Sequence, residues 1–417
     1  MASDVRDLEL DPAPAVEAGA DRRRPTLVPA RSLARLRARL GLGAIEDDAL
    51  RTWLVSRAAL VLITWAVIWT GFGAVAKKPH GWASVWQRWD WLRYYGIAAH
   101  GYSLRSRHGA SIAFFPGYPG ILYAVHLVFR SWVYSGLLIS FVAGAIAVVA
   151  LSRIVALEAA ARGETGERAR TAVRDGVALF VWAPAAVFLA AGYTETPFLA
   201  CSLSAWLAAR RERWLTAGVL LAGAAAIRVN GLFVLAGVAV LFLQSRPRGP
   251  RGWLRGWPLA LPLVPVAAFM TYLHSLTGDW NAWEHAERVG WNRHLSYPWH
   301  TFANTWHYAF GHYLPAATAW EYQVEILATA VGLALVVWLA VRRRWAEFVY
   351  VLLSVGTLAT SHVYLSVPRE MLTWWPLWAA LGVWCVRRPW LKTAYLTVST
   401  PIMFTVAYLF LTNRWAG

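Results

Sequence analysis

Long apolar runs separated by short arginine-rich segments dominate the chain from residue 51 onwards. A membrane-spanning helix needs about 20 apolar residues, and the runs 53–75 and 134–153 approach that length. With the arginine clusters placed on the cytoplasmic side, the runs alternate consistently between the two sides of a bilayer. The pattern predicts an all-α polytopic membrane protein with about eleven transmembrane helices and a cytoplasmic N-terminus.

Two places depart from this regular alternation. The run Phe114–Phe129 is apolar but short and contains two prolines, which favours a re-entrant or surface-lying helix over a span. Leu215–Ile227 and Gly231–Gln244 are separated only by Arg228, Val229 and Asn230. Each of these runs reaches only about 20 Å as a helix, so we predict a thin hairpin whose tip lies at or below the outer surface.

The hydropathy also divides the chain into domains. Residues 1–50 are polar and carry no apolar stretch typical of a signal peptide, and we predict a partly disordered cytoplasmic tail. Residues 51–417 form the predicted transmembrane domain. Its two large outer loops are 76–113 and 276–322.

Composition and charge support a membrane protein. Hydrophobic residues make up 58% of the chain, charged residues only 15%, and there are 27 tryptophans. These values exclude a soluble globular domain and a disulfide scaffold. The net charge of +17 lies in loops between apolar runs, where it orients spans and contacts anionic lipid in the plasma membrane; no nucleic-acid partner is indicated. Cys201 and Cys385 sit in separate apolar runs and indicate no redox or metal role.

The acidic residues separate by predicted side. Nine lie in the tail and six in cytoplasmic segments, and the other eight fall at the outer face: Asp90, Glu195, Asp279, Glu284, Glu287, Glu321, Glu325 and Glu370. The outer side also collects most candidate polar groups, including Arg228, Arg369 and several histidines. An active site, if present, is therefore expected to face outward near the membrane surface.

Simpler roles exist for the same residues. An aspartate beside arginines after a first span is commonly part of an interfacial ion pair, and Glu195 at a helix start complements the helix dipole. Arg228 inside a thin hairpin requires a partner or a water-filled cavity, because an unpaired charge in hydrocarbon costs several kcal/mol. His285 and His294 lack metal-ligand spacing, so no metal site is expected.

The segment from Trp89 to Tyr102 (WDWLRYYGIAAHGY) changes this picture. It resembles the W-D-x-x-x-Y-x-x-I-A-x-x-G-Y signature of the PIG-V-type mannosyltransferases (GPI mannosyltransferase 2-like), which belong to the GT-C glycosyltransferase superfamily. Further similar blocks follow in order: Ala113–Pro119 (AFFPGYP), Tyr193–Leu199 (YTETPFL), Ala226–Gly231 (AIRVNG), Gly278–Ala286 (GDWNAWEHA) and Pro368-Arg369. Gly117 stands where the family usually has leucine, Thr196 where it has serine, and Glu370 where it has an aromatic residue.

The resemblance implies a GT-C fold and a lipid-linked donor, polyprenyl-phosphate mannose, used at the extracytoplasmic face with inversion. It makes Asp90 the candidate general base. It implies cationic donors for the leaving phosphate, with Arg228, Arg288, Arg369, His285 and His362 as candidates. The candidates for sugar or acceptor binding are Trp89, Arg93, Tyr94, Tyr193, Glu195 and Asn230. No cofactor is implied, because the lipid-linked sugar is a substrate, and we predict metal independence.

Other functions stay open on the sequence. A transporter or flippase of lipid-linked sugars would explain many spans and an intramembrane arginine, although we find no inverted repeat. A non-catalytic accessory subunit would be expected to have lost Asp90, Glu195 or Arg228, and all three are present. The donor sugar could also be glucose, galactose or arabinofuranose. The acceptor (a glycan, glycolipid or glycoprotein) and the oligomeric state are not determined.

Overall fold

The structure is a bundle of helices with no strand among the residues it describes. The computed structural model describes residues 41–70, 81–103 and 110–414. The predicted tail therefore lies mostly outside the described residues, although the first helix begins at Ala44, within it. The described helices belong to the compact unit that starts at Ala44.

The helices of the first half are α1 Ala44–Trp69, α2 Asp90–His100, α3 Gly117–Phe129, α4 Trp132–Ala161, α5 Gly166–Val181, α6 Glu195–Ala209, α7 Trp214–Ile227 and α8 Gly231–Gln244. Those of the second half are α9 Gly249–Leu254, α10 Leu263–Thr277, α11 Ala282–Trp291, α12 Pro298–Phe310, α13 Ala316–Val341, α14 Trp345–Ala359, α15 Val367–Glu370, α16 Trp375–Arg387 and α17 Pro389–Leu411. Short 3₁₀ turns occupy Trp82–Trp86, Ala110–Ala113, Ala186–Leu189, Trp257–Ala260 and Met371–Thr373.

Four described helices, α1, α4, α13 and α17, are long and apolar enough to cross a membrane, or five spans if the bent pair 249–260 and 263–277 is counted as one. Large apolar side chains on their outer faces, such as Leu62, Val337 and Val398, are exposed, as expected where lipid replaces water. The protein is therefore a multi-pass membrane protein. The total of about eleven spans stays a prediction, because several expected spans are shorter or broken helices.

The element boundaries follow the hydropathy closely in some places and not in others. The predicted thin hairpin is confirmed as α7 and α8, joined at Arg228–Asn230. The apolar run 176–192 is not one continuous helix, since α5 ends at Val181 and a 3₁₀ turn follows at Ala186–Leu189. The loop expected over 276–322 contains two helices, α11 and α12.

The central helix is α4, which packs against α1, α5, α6 and α16. Its small residues allow this close packing. A Cβ atom on Gly144 would lie 2.2 Å from the ring of Trp53, a side chain of α1 that is fully buried. Because only glycine leaves room for the indole there, this contact fixes where α1 crosses α4.

Candidate functional site

Asp90 is held at the start of α2 by its neighbours in the chain. Trp89, which precedes the helix, has a positive φ of 49°, a conformation that costs energy for a side-chain-bearing residue and clusters at functional sites. The buried ring of Trp91 lies against the backbone of Gly136 and Gly192, where an added Cβ would approach it to 2.4 and 2.7 Å. The first turn of α2 is therefore anchored to α4 and to the turn before α6.

The turn before α6 is tied to the same region by two tyrosines. The hydroxyl of Tyr193 donates to the carbonyl of Arg88 at 2.8 Å, and the hydroxyl of Tyr94 lies 3.3 Å from that of Thr194. Glu195 then opens α6 with a side chain that is completely buried. These contacts bring two acidic residues, Asp90 and Glu195, from separate sequence motifs to one place.

Two arginines join these acids. Oε1 of Glu195 accepts hydrogen bonds from Nη1 of Arg228 at 3.3 Å and from Nε of Arg369 at 2.5 Å. Nη1 of Arg369 also donates to Oδ2 of Asp90 at 2.6 Å. Its guanidinium lies 4.8 Å from the ring centre of Tyr193, which adds a cation–π contact. The predicted candidates Asp90, Glu195, Arg228 and Arg369 therefore form one connected cluster.

Glu370 is a member of the cluster to which the sequence analysis gave no role. Its Oε2 accepts from Nη2 of Arg228 at 2.5 Å, and its Oε1 accepts from Nδ2 of Asn230 at 2.7 Å. The hydroxyl of Thr373 also donates to Oε1 of Glu370 at 3.0 Å. The signal was available in the sequence, because a carboxylate stands beside Arg369 at a position where the resembling family usually has an aromatic residue.

The position of Arg228 depends on close backbone packing at the α7–α8 turn. A Cβ on Gly231 would lie 2.4 Å from the backbone nitrogen of Ala225, and one on Gly117 would lie 2.5 Å from the carbonyl oxygen of Ala226. The leucine usual in the family at position 117 would clash here. Glycine therefore allows α3 to press directly against the end of α7, just before Arg228.

A cavity of about 500 Å³ opens over this cluster. Asp90, Arg228, Asn230, Arg369 and Glu370 line one side of it, with Tyr94 beside them. Oδ1 of Asp90 makes no hydrogen bond to any described residue, so it is available to a ligand. The other side is formed mainly by aromatic and charged residues of α11 and the segment after it: Trp283, Glu284, Glu287, Trp291, Arg293, His294 and Leu295.

The cavity carries more acidic than basic groups. Four lining carboxylates, those of Asp90, Glu284, Glu287 and Glu370, face three lining arginines. Burial raises the pKa of Glu287, and the nearby charge of Asp90 raises it further, while Arg293 at 3.6 Å opposes the shift. A protonated Glu287 would reduce the excess negative charge where an anionic ligand is expected.

Several predicted site residues lie elsewhere. Arg288 pairs with Glu284 at 3.0 Å with both side chains half exposed, and His285 pairs with Asp279 at 2.7 Å on an exposed surface. Neither lines the cavity. Trp89 and Arg93 are also outside its lining. The structure thus separates the donor-phosphate candidates into Arg228 and Arg369, which line the cavity, and three that do not: Arg288, His285 and His362.

His362 occupies an intermediate position. Its ring stacks on that of His294, with 4.8 Å between centroids, and His294 lines the cavity. Partial burial and the neighbouring histidine lower the pKa of His362, which disfavours a permanent positive charge there. No group of three or more His, Cys, Asp or Glu side chains in the described part of the chain could hold a metal ion. Metal independence stays a prediction.

The tyrosine candidates for sugar binding pack closely against neighbouring side chains. Tyr94 lines the cavity, but its ring also packs edge-on against Tyr118 and Phe114, with centroids 4.8 and 5.0 Å apart. Tyr193 is buried beneath Arg369. Asn230 reaches the cavity while bonded to Glu370.

Known proteins resemble part of this chain. Residues 73–245 match the family model described as Mannosyltransferase (PIG-V). GPI alpha-1,6-mannosyltransferase 2 of Mus musculus is 34% identical over 181 residues, which is 42% of this chain and 35% of that protein. The namesake of Rattus norvegicus is 35% identical over 167 residues, or 39% of this chain and 32% of that protein.

The alignments span about a third of the length of these curated relatives. No solved structure matches the chain. The matched segment contains Asp90, Tyr193, Glu195, Arg228 and Asn230, whereas Arg369 and Glu370 come from outside it. The resemblance to the PIG-V-type mannosyltransferases indicated by the sequence motifs is thus confirmed over residues 73–245.

Proposed function

We propose that this protein is a membrane glycosyltransferase that transfers mannose from polyprenyl-phosphate mannose to a hydroxyl group of an extracytoplasmic glycan, glycolipid or glycoprotein. We propose further that it has a GT-C fold with about eleven spans, lies in the plasma membrane with its N-terminus in the cytoplasm, and opens its cavity outward. The match to mannosyltransferases supports the sugar class, and the cavity supports the chemistry.

The main observation in support of the proposal is the way the two carboxylate oxygens of Asp90 are used. Arg369 binds Oδ2 at 2.6 Å, while Oδ1 is left to the cavity. The aspartate is therefore fixed in orientation and retains one free oxygen to accept a proton. A general base must meet this geometric requirement before its pKa matters.

The proposed reaction uses that geometry. The acceptor hydroxyl oxygen attacks C1 of mannose as its proton passes to Oδ1 of Asp90. The bond from C1 to the phosphate oxygen breaks on the opposite side, so the configuration inverts. The departing polyprenyl phosphate takes the electron pair of that bond. Cationic donors near it lower the barrier, and Arg228 and Arg369 are the two in the cluster that line the cavity.

Glu195 serves this arrangement without contacting substrate. It is fully buried, does not line the cavity, and uses one oxygen to hold both arginines. We assign it as a positioning residue. The aromatic lining of the cavity suits the ring of a sugar and the first units of a prenyl chain.

The test compares Asp90→Asn with wild type and with Asp279→Asn. Asp279 is another aspartate predicted to face outward, but it is exposed and pairs with His285 outside the cavity. Membranes that contain each protein are incubated with radiolabelled polyprenyl-phosphate mannose and host lipid extract, with and without EDTA. We expect Asp90→Asn to reduce product formation by about 10²–10⁴-fold and Asp279→Asn to leave it unchanged.

Equal labelling by wild type and Asp90→Asn would remove Asp90 as the base, and Glu287 would become the leading candidate because it also lines the cavity. Loss of labelling in EDTA would contradict metal independence. If wild type labels no acceptor but moves the sugar lipid across a bilayer, the protein is a transporter and the proposal fails.

A further inference from the structure

A second cavity lies among the helix ends that carry the arginine clusters. It has a volume of about 430 Å³ and is lined by the ends of α4, α6, α8 and α13 and by the start of α14. Five arginines and two glutamates contribute to its wall: Arg162, Arg210, Arg342, Arg343, Arg344, Glu158 and Glu347. We refer to it as the arginine cavity.

The acids of the arginine cavity satisfy only two of its five arginines. Glu158 forms ion pairs with Arg162 at 2.8 Å and with Arg344 at 2.5 Å, and Glu347 binds Arg344 at 2.7 Å. Arg210, Arg342 and Arg343 form no ion pair or side-chain hydrogen bond with any residue in the part of the chain that the structure describes. Three guanidinium groups therefore face one cavity with all their donors available.

Helix capping does not account for these three side chains. Helix C-termini attract cations, but the last carbonyls of α13 accept backbone N–H groups instead: Trp338 from Arg342, Ala340 from Arg343 and Leu339 from Arg344. The end of α6 is capped in the same way, with Trp206 bonded to the N–H of Arg210. Since the backbone satisfies both helix ends, the guanidinium groups are free to bind something else.

Arg343 has a φ of 55°, the left-handed conformation that ends many helices. Arg130, Glu212 and Arg246 have the same conformation, so it does not by itself indicate a ligand. The unpaired guanidinium groups are what mark this cavity.

We propose that the arginine cavity binds a phosphate-bearing anion, separately from the candidate active site. Guanidinium groups match phosphate oxygens through paired, charge-assisted hydrogen bonds. Three unpaired arginines, with the half-exposed indole of Trp345 beside them, suit the phosphate of an anionic lipid headgroup or a free phosphate. Both sources present the same tetrahedral anion.

The experiment uses the full chain in nanodiscs and two triple variants that remove the same charge. Arg210→Gln/Arg342→Gln/Arg343→Gln empties the arginine cavity of its unpaired donors. Arg246→Gln/Arg248→Gln/Arg251→Gln removes three exposed arginines that do not line this cavity, including Arg246, which shares the left-handed conformation of Arg343 with a φ of 53°. Thermal stability and ligand retention in native mass spectrometry are measured for each.

Two arms identify the source of the anion. One titrates inorganic phosphate in phosphatidylcholine nanodiscs, and the other exchanges phosphatidylcholine for phosphatidylglycerol in phosphate-free buffer. We expect wild type to bind in at least one arm and the cavity variant to bind at least about tenfold more weakly, since charge-assisted hydrogen bonds to several guanidinium groups are lost. The control variant should keep the wild-type affinity.

Binding only of phosphatidylglycerol would identify a lipid headgroup, and stabilisation by inorganic phosphate would identify a soluble anion; both support the site. An equal loss in the two triple variants would show diffuse surface attraction and overturn the proposal, as would the absence of binding in both arms. If the triple cavity variant does not fold, Arg342→Gln alone, at an exposed position, is measured in its place, with a smaller loss expected.

Discussion

Glu195 and Glu164 each bind two arginines, yet the exposure of those arginines differs. Glu195 is completely buried, and its partners Arg228 and Arg369 have side chains only 19% and 12% exposed. Glu164 is also buried, but it binds Arg168 and Arg387, whose side chains are 62% and 66% exposed. The same pairing pattern therefore has buried arginines in one region and largely solvated arginines in the other. Burial of the charged groups, rather than the number of ion pairs, decides how much each cluster contributes to the stability of the fold.

The cluster around Glu195 and the arginine cavity also use their arginines differently. Around Glu195, both arginines of the cluster have carboxylate partners, and acids outnumber bases in the cavity lining. In the arginine cavity, two of five arginines have partners. Each ion pair between residues that the structure describes joins two groups expected on the same side of the membrane, which agrees with the sorting from the arginine clusters.

The largest effect should come from Glu195→Gln, compared with Glu164→Gln. The first change leaves two buried guanidinium groups without a shared carboxylate, and we expect a loss of about 3–5 kcal/mol in unfolding free energy. The second leaves two exposed arginines that water can solvate, so little change is expected. Thermal unfolding in detergent, followed by tryptophan fluorescence, measures both. Equal shifts would show that burial does not distinguish the two clusters.

A smaller loss is expected for Glu370→Gln. Arg228 would lose its partner at 2.5 Å but keep Glu195, so we expect about 1–3 kcal/mol. Glu284→Gln is the matched control, because its partner Arg288 and Glu284 itself are half exposed. The same unfolding assay applies. A loss as large as that of Glu195→Gln would make Glu370, and not Glu195, the main anchor of Arg228.

The smallest effect concerns pH and Glu287. Because folding raises the pKa of this carboxyl, the folded state binds more protons than the unfolded state between the two pKa values. Stability should therefore fall as the pH rises through that window. Ionised Glu287 also adds negative charge beside the expected donor phosphate, so the KM for donor should rise with pH. Glu287→Gln should flatten both profiles; if its KM still rises, another group is responsible.

Part of the site could be predicted because its residues occur in local motifs. Asp90, Glu195 and Arg228 were each identified beside sequence features that fix their backbone, and the thin hairpin that carries Arg228 appeared at the expected residues. Arg288 and His285 lie in a similar motif, but their side chains pair on the surface of α11. A motif gives proximity in sequence, and the direction of a side chain depends on helix packing.

Hydropathy and arginine clustering determined the main features of this protein from the sequence alone: helices in a membrane and polar groups sorted to two ends. These follow from the energy of placing apolar and charged side chains in a bilayer, which each residue contributes locally. Only the tertiary structure decided which charges meet. Glu195 binds Arg369 from 174 positions away, and Glu370 reaches Asn230 across 140. Such pairs depend on how helices pack against each other, so no local pattern in the sequence specifies them.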